Sequence, residues 1–263
     1  MSSPPTLEPK HEIKSDDQHG FQADPASPPE PGMSFIRVRG LRAGYGKSVV
    51  LRDIDLDIDE GEAVAVVGKN GAGKSTLLMS FFGATTISGG SIEVGGSLLN
   101  KLPAYAAAKQ GVTISPQGRM ILPHLTVGEN LLLGAACGRK GHWTVETVNR
   151  LFPILQERRD KMGNALSGGQ QQMLAVGRAL LGNPRVLLLD EPSEGLSPVL
   201  VDDLARVFNQ ICAAGTGILM VEQHLNLVRR ISQRFVVMAK GEIIDRGQTD
   251  NIDSAQHSAA LAF

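Results

Sequence analysis

Cysteine, charge imbalance and long apolar runs are all scarce in this chain, and each scarcity removes a class of function. Its two cysteines, Cys137 and Cys212, lie far apart with no Cys-x-x-Cys or histidine spacing around them. That argues against a disulfide framework or a zinc site and leaves two small buried thiols as the expectation. Lysine and arginine number 26 against 27 aspartate and glutamate, a formal net charge of −1. No general basic field exists to bind nucleic acid by neutralising phosphates, so no nucleic-acid partner is expected. No apolar run approaches the roughly 18–20 residues that a spanning helix needs, and the first residues lack the apolar core of a signal peptide. A soluble protein is expected, with any membrane role exercised through a partner.

What the chain does have is enough apolar material for one good-sized domain, at 42% of 263 residues. Residues 1–33 hold seven of the 14 prolines, with serine and acidic residues and few large apolar groups. Burial cannot offset the ordering entropy of such a stretch, which reads as a disordered Pro-rich tail. From Ser34 onward FIRVRG, the strictly alternating DIDLDI, the continuously apolar EAVAVV and the short SIEVG read as strands. Periodicity predicts helices over 74–83, 103–110, 126–136, 144–157, 167–182, 198–214 and 224–233. The strands VLLLD (186–190) and GILMV (217–221) fall between the later helices. Strand alternating with helix predicts an α/β fold with a parallel core, a small antiparallel β subdomain beside it and a helical subdomain over about 100–165. The domain runs over 34–250, followed by a C-terminal segment, 251–263.

The stretch VAVVGKNGAGKSTLL follows the most apolar strand and opens a helix. Gly68, Lys69, Asn70, Gly71, Ala72, Gly73, Lys74, Ser75 and Thr76 form a phosphate loop in the context that motif requires. The glycines let the backbone wrap phosphates with its amides inward, Lys74 neutralises the β and γ oxygens, and Ser75 reaches a Mg²⁺ ion. Downstream, RVLLLDEP ends an apolar strand in Asp190 and Glu191. Ligands of open α/β sheets sit at the carboxyl ends of strands, where Asp190 can hold Mg²⁺ through a water and Glu191 can orient or deprotonate an attacking water. A second anion cradle appears in LSGGQ, where Ser167, Gly168, Gly169 and Gln170 open an amphipathic helix. The chance of both motifs in one chain of this length is on the order of one in 10⁵ to 10⁶.

These motifs, with Gln117 in ISPQGRMILPHLTVGENLLLG, resemble the nucleotide-binding subunits of ATP-binding-cassette (ABC) transporters over about residues 34–250. The resemblance implies a P-loop NTPase cassette with a RecA-like parallel-sheet core, ATP and Mg²⁺ as ligands, and ATP hydrolysis as the reaction. It also implies why two cradles coexist: two cassettes pack head to tail, and the LSGGQ helix of one caps the γ-phosphate held by the other. By the same resemblance Tyr45, in RAGYGKS, stacks on adenine. Gln117 touches the Mg²⁺ or the attacking water, and the segment 118–136 docks the membrane partner. Implied partners are a second cassette, identical or not, transmembrane permease subunits and, indirectly, a periplasmic or surface solute-binding protein. Such a subunit works peripherally at the cytoplasmic face of the inner or plasma membrane.

Two positions depart from the family pattern. Where an apolar-Thr-His-Asp sequence is usual, this chain has ILMVEQHLN, which puts Gln223 at the switch position and His224 one residue late. Adjacent residues at a strand-to-helix turn point in different directions, so Gln223 is the preferred switch and His224 the alternative. In SEGLSP, Ser197 stands where an aspartate is usual. LFPILQERR, the long LSGGQQQMLAVGRALLGNPRVLLLDEPSEGLSP stretch and VEQ look like cassettes that energise uptake of branched-chain amino acids, urea and short amides. Gln117 and the Glu194-Gly195 pair lean toward the urea type. Against an importer stand a non-transport cassette of DNA repair, chromosome structure or translation, and a small-molecule kinase. The first usually inserts a long coiled coil that is missing here, and the second leaves LSGGQ unexplained.

Overall fold

The longest apolar stretches of the sequence become the middle of a six-stranded sheet, and what surrounds that sheet follows from burying both its faces. The computed structural model describes residues 34–100, 102–254 and 257. The tail expected over 1–33 and the greater part of 251–263 lie outside the described residues. In chain order, β1 (Ile36–Tyr45) and β2 (Ser48–Ile58) make a hairpin, β3 (Ala63–Val67) leads through the glycine-rich loop into α1 (Lys74–Ser80), and β4 (Thr86–Val94) and β5 (Ser97–Leu98) follow. Then come α2 (Ala106–Gln110), β6 (Val112–Ser115), α3 (Val127–Leu132), α4 (Val145–Leu151), α5 (Pro153–Glu157) and α6 (Gly168–Leu180). The chain closes with β7 (Val186–Asp190), α7 (Pro198–Ala213), β8 (Gly217–Glu222), α8 (Leu225–Ile231), β9 (Arg234–Ala239) and β10 (Glu242–Gln248).

The large sheet runs β10-β9-β3-β8-β7-β6, parallel except for the antiparallel edge strand β10. Every residue of β3, β7 and β8 is buried, as strands covered on both faces must be. Alternate side chains enter two different cores. Ala65 and Val67 of β3, with Leu187 and Leu189 of β7, pack toward the helices α6, α7 and α8. Val64, Val66 and Leu188 pack the other way, against the four-stranded antiparallel sheet β2-β1-β4-β5 and α1. The period-two geometry of a strand therefore divides one apolar sequence between two hydrophobic layers.

Several boundaries differ from the sequence expectation. The run expected as helix over 144–157 breaks into α4 and α5, because Phe152 precedes Pro153 and takes an extended φ of −129° rather than the helical region. Helix 126–136 is α-helical only to Leu132 and tightens to a 3₁₀ turn over Leu133–Cys137. Residues 112–115, inside the stretch expected as a helical subdomain, form β6 of the large sheet. Only two of its four residues are buried, too short a pattern for periodicity to register. β9 and β10 were not anticipated either. The two cysteines are half-buried, short of the full burial expected, and burial nonetheless pushes the Cys212 thiol up to about 12. Among the described residues no helix is long and apolar enough to cross a membrane.

Phe208 of α7 is fully buried in the layer between the helices and the sheet. Phe208→Ala should destabilise the domain by about 3–5 kcal/mol through lost burial and the cavity left behind, measured by urea unfolding followed by circular dichroism.

Candidate functional site

Parallel strands deliver their ends to one edge, and here β3 delivers the glycine-rich loop, β7 the acidic pair and β8 the 222–224 turn. The loop from Gly68 to Gly73 can follow its path only with glycine at particular points. Gly71 and Gly73 have φ of +80° and +105°, in the left-handed region, and a Cβ on Gly68 would lie 2.4 Å from the Met238 carbonyl oxygen. Beyond Gly73 the chain turns directly into α1, so the free amides of a helix start face the loop. A cleft of about 610 Å³ opens above it, lined by Val50, Asn70, Lys74, Thr76, Gln117 and Glu191.

The Lys74 side chain is 4% exposed, and its ammonium donates to the Gly68 carbonyl at 2.8 Å and the Lys69 carbonyl at 3.2 Å. It also pairs with Glu191, at 3.2 Å from Oε1. Ser75, next on α1, donates its hydroxyl to Asp190 Oδ1 at 3.1 Å. Burial pushes the Asp190 carboxyl above its usual range, opposed by the Ser75 hydrogen bond; Glu191 next to it pushes the same way as burial, and Lys74 opposes it. Gln117 arrives from the end of β6 and donates its amide to Glu191 Oε2 at 3.4 Å and to Glu194 Oε2 at 3.1 Å. Lys74, Ser75, Gln117, Asp190 and Glu191 thus converge although nearly 120 residues separate the ends of the set.

The backbone at Glu191 is unusual: φ is +47° at a residue with a long side chain. Its amide donates to the Val221 carbonyl of β8 at 3.0 Å, and the Glu194 amide donates back to the Glu191 carbonyl at 3.1 Å, closing a turn. Such strain concentrates at functional sites and persists only where neighbours over-determine it.

Other residues from the sequence reading lie apart from this cluster. Tyr45 stands half-exposed at the tip of the β1-β2 hairpin. Ser167 caps α6: its hydroxyl accepts the Gln170 amide at 3.4 Å while Gln170 Oε1 accepts the Ser167 amide at 3.0 Å, a reciprocal capping box. None of Ser167 to Gln170 lines the phosphate-loop cleft. Gly169 has a packing reason as well, since a Cβ there would meet Leu200 of α7 at 2.7 Å. Gln223 is half-buried, whereas exposed His224 occupies the N-cap position of α8 without a side-chain hydrogen bond to the helix and lines a neighbouring cleft with Ser193, Gly195 and Pro198. The segment after Gln117 is not helical at first: Gly118, Arg119 and Met120 have φ of +71°, +66° and +44°, and helix begins only at Val127.

Three side chains that the sequence did not single out organise these loops. Arg178 of α6 donates to the Met120 and Arg119 carbonyls at 2.7 and 2.8 Å, pinning the strained turn after Gln117 to the helix that LSGGQ opens. Arg119 donates to Gln172 of the same helix and to the Glu194 carbonyl, both at 3.4 Å. Glu222, 1% exposed, accepts the Ser193 amide on Oε1 at 3.0 Å, and the Gln223 and His224 amides on Oε2 at 3.0 and 3.4 Å. A buried glutamate at a strand end was the available signal for the last of these.

Residues 51–194, more than half of the chain, match the family model described as ABC transporter. Over 76% of its length the chain is 39% identical to the high-affinity branched-chain amino acid transport ATP-binding protein BraG of Pseudomonas aeruginosa, covering 87% of that protein. It is 29% identical to the lipopolysaccharide export system ATP-binding protein LptB of Escherichia coli, covering 86% of this chain and 95% of that one. Among solved structures, the ADP conformation of MJ1267, an ATP-binding cassette of an ABC transporter, superposes with a TM-score of 0.75 at 25% identity, over 88% of this chain and 99% of the other.

Lys74→Ala removes the one ammonium that the loop carbonyls hold at the cleft floor. It should lower ATP affinity by at least about 100-fold, the scale of losing a desolvated charge-to-phosphate contact. Titration with a fluorescent ATP analogue checks this.

Proposed function

Because the chain belongs to the ABC transporter family, in which it is an ATPase subunit coupled to transport, we propose that it energises an importer for branched-chain amino acids, urea or short amides. The observation that carries the reading is the convergence of Lys74, Ser75, Asp190, Glu191 and Gln117 on one cleft, with a separate SGG helix start that does not face it. A site complete for binding phosphate but lacking its cap calls for a second cassette, identical or different, whose Ser167-equivalent region closes over the ATP held here. In return, Ser167, Gly168 and Gly169 offer a capped helix N-terminus to the partner's nucleotide.

The roles follow from position. Lys74 and the loop amides of residues 71–76 grip the phosphates, Lys74 neutralising the β and γ oxygens, and Tyr45 stacks on adenine. Ser75 and Asp190 would hold Mg²⁺, with Gln117 alongside. The site fits this ion: it offers a hydroxyl and one carboxylate 3.1 Å apart rather than a cage of acids, and Mg²⁺ characteristically completes its shell with phosphate oxygens and water. When bound, the ion neutralises charge on the phosphate oxygens. Glu191 accepts a proton from, or orients, the attacking water, and Gln223 contacts the γ-phosphate region. ATP binding favours the closed pair because only that form supplies both half-sites, so closure is a population shift.

Cassettes of this family act as dimers with transmembrane permease subunits. The permease here docks on the segment 118–136, whose exposed Met120, Leu122, Leu132 and Leu133 offer apolar contact. Hence the chain works peripherally at the cytoplasmic face, the solute-binding protein acting indirectly across the membrane. The likeness to BraG favours amino acids as cargo, and the Glu194-Gly195 pair leans toward urea.

Uptake of labelled leucine and labelled urea by a strain lacking this chain decides between cargoes: loss of one uptake, restored by the wild-type chain, is the expected result. Glu191→Gln should retain ATP binding, trap a closed dimer visible by size-exclusion chromatography and lose about 10²- to 10³-fold in turnover. Gln223→Ala should lower turnover more than His224→Ala, and the reverse order would move the switch to His224.

A further inference from the structure

We propose that Glu222 is a positioning residue that holds the Glu191 turn and the Gln223 turn in fixed relation to each other. The inference rests on the roles given above to Glu191 and Gln223 and adds a residue to which they assign nothing. Strand order places β8 between β3 and β7. In the parallel register Glu222 pairs with Val67, the residue before Gly68, and Val221 pairs with Asp190. The last residue of the middle strand therefore stands between the phosphate loop and the acidic pair.

Its carboxylate is spent entirely on backbone. One oxygen accepts the Ser193 amide, two residues beyond Glu191, and the other accepts the amides of Gln223 and His224. Glu191 itself is tied to the same strand end through its amide and the Val221 carbonyl. The strained turn at Glu191 is thus tied twice to β8, at residue 191 by a carbonyl and at residue 193 by a carboxylate. A carboxylate is suited to this because it offers acceptor capacity on both oxygens and carries no donor to oppose an N–H. At 1% exposure, water cannot substitute for it. The same group thereby couples two turns that must present their side chains to one phosphate, where a displacement of a fraction of an ångström matters.

Two substitutions separate the elements of the clamp. Glu222→Gln keeps length but turns one acceptor into a donor facing an N–H, and Glu222→Asp keeps the charge but withdraws it by one methylene. Steady-state Mg-ATP turnover is measured on the full chain, with binding of a fluorescent ATP analogue and thermal unfolding alongside. Both variants should lower kcat by about tenfold or more while KM and nucleotide affinity stay within about twofold, because the phosphate loop is left intact. Wild-type kcat in either folded variant would overturn the proposal. So would a parallel loss of kcat, nucleotide affinity and thermal stability, which marks a purely structural residue. The underlying site reading fails on different evidence, namely ATP binding retained by Lys74→Ala or full turnover by Glu191→Gln.

Discussion

Burial of the parallel strands on both faces is the constraint on which the rest of this structure depends. β3, β7 and β8 have no exposed residue, so two hydrophobic layers must close over them, helices on one side and the antiparallel sheet on the other. With both faces covered, polar chemistry can emerge only at the strand ends. Because the strands are parallel, their carboxyl ends share one edge, and the phosphate loop, the acidic pair and Glu222 meet there. Topology does the gathering, and side-chain chemistry then acts over distances near 3 Å.

At that edge positive and negative groups are set against each other rather than accumulated. Lys74 is held by two carbonyls and by Glu191, Asp190 accepts from Ser75, and Gln117 reaches two carboxylates. A lone ammonium or carboxylate buried this far would be costly, and mutual pairing is what permits a charged cluster to sit at the floor of a cleft. Around it, Arg178 and Arg119 bind the strained turn after Gln117 to α6. The turn after Gln117, with its exposed Met120 and Leu122, and the helix that LSGGQ opens are therefore joined by hydrogen bonds through the side chains of two arginines.

Much of this was legible in the chain itself, for reasons that differ by element. The phosphate loop is a local motif: nine consecutive residues carry the turn, the amides, the ammonium and the hydroxyl, so spacing alone reveals it. VLLLDE is legible because a continuous apolar run marks a doubly buried strand and ligands gather at its end. β6 escaped because four residues with two buried show no period, and the break at Phe152 escaped because helix-like spacing continues across Pro153. Glu222 was in plain view yet carried no role. Its three acceptor bonds run to residues on two separate turns, one of them 29 positions earlier in the chain.

By itself the sequence determined the chemistry on offer: a phosphate loop, an acidic strand end, a second anion cradle and an apolar content that demands a doubly covered sheet. These are properties of neighbouring residues, which covalent spacing and side-chain type dictate. Only the tertiary structure decided that Lys74 pairs with Glu191, that Ser167 to Gln170 do not line the cleft holding Lys74, and that Glu222 accepts amides from two turns. Those facts depend on strand order and loop path, which arise from packing across the whole chain. No window of consecutive residues encodes them.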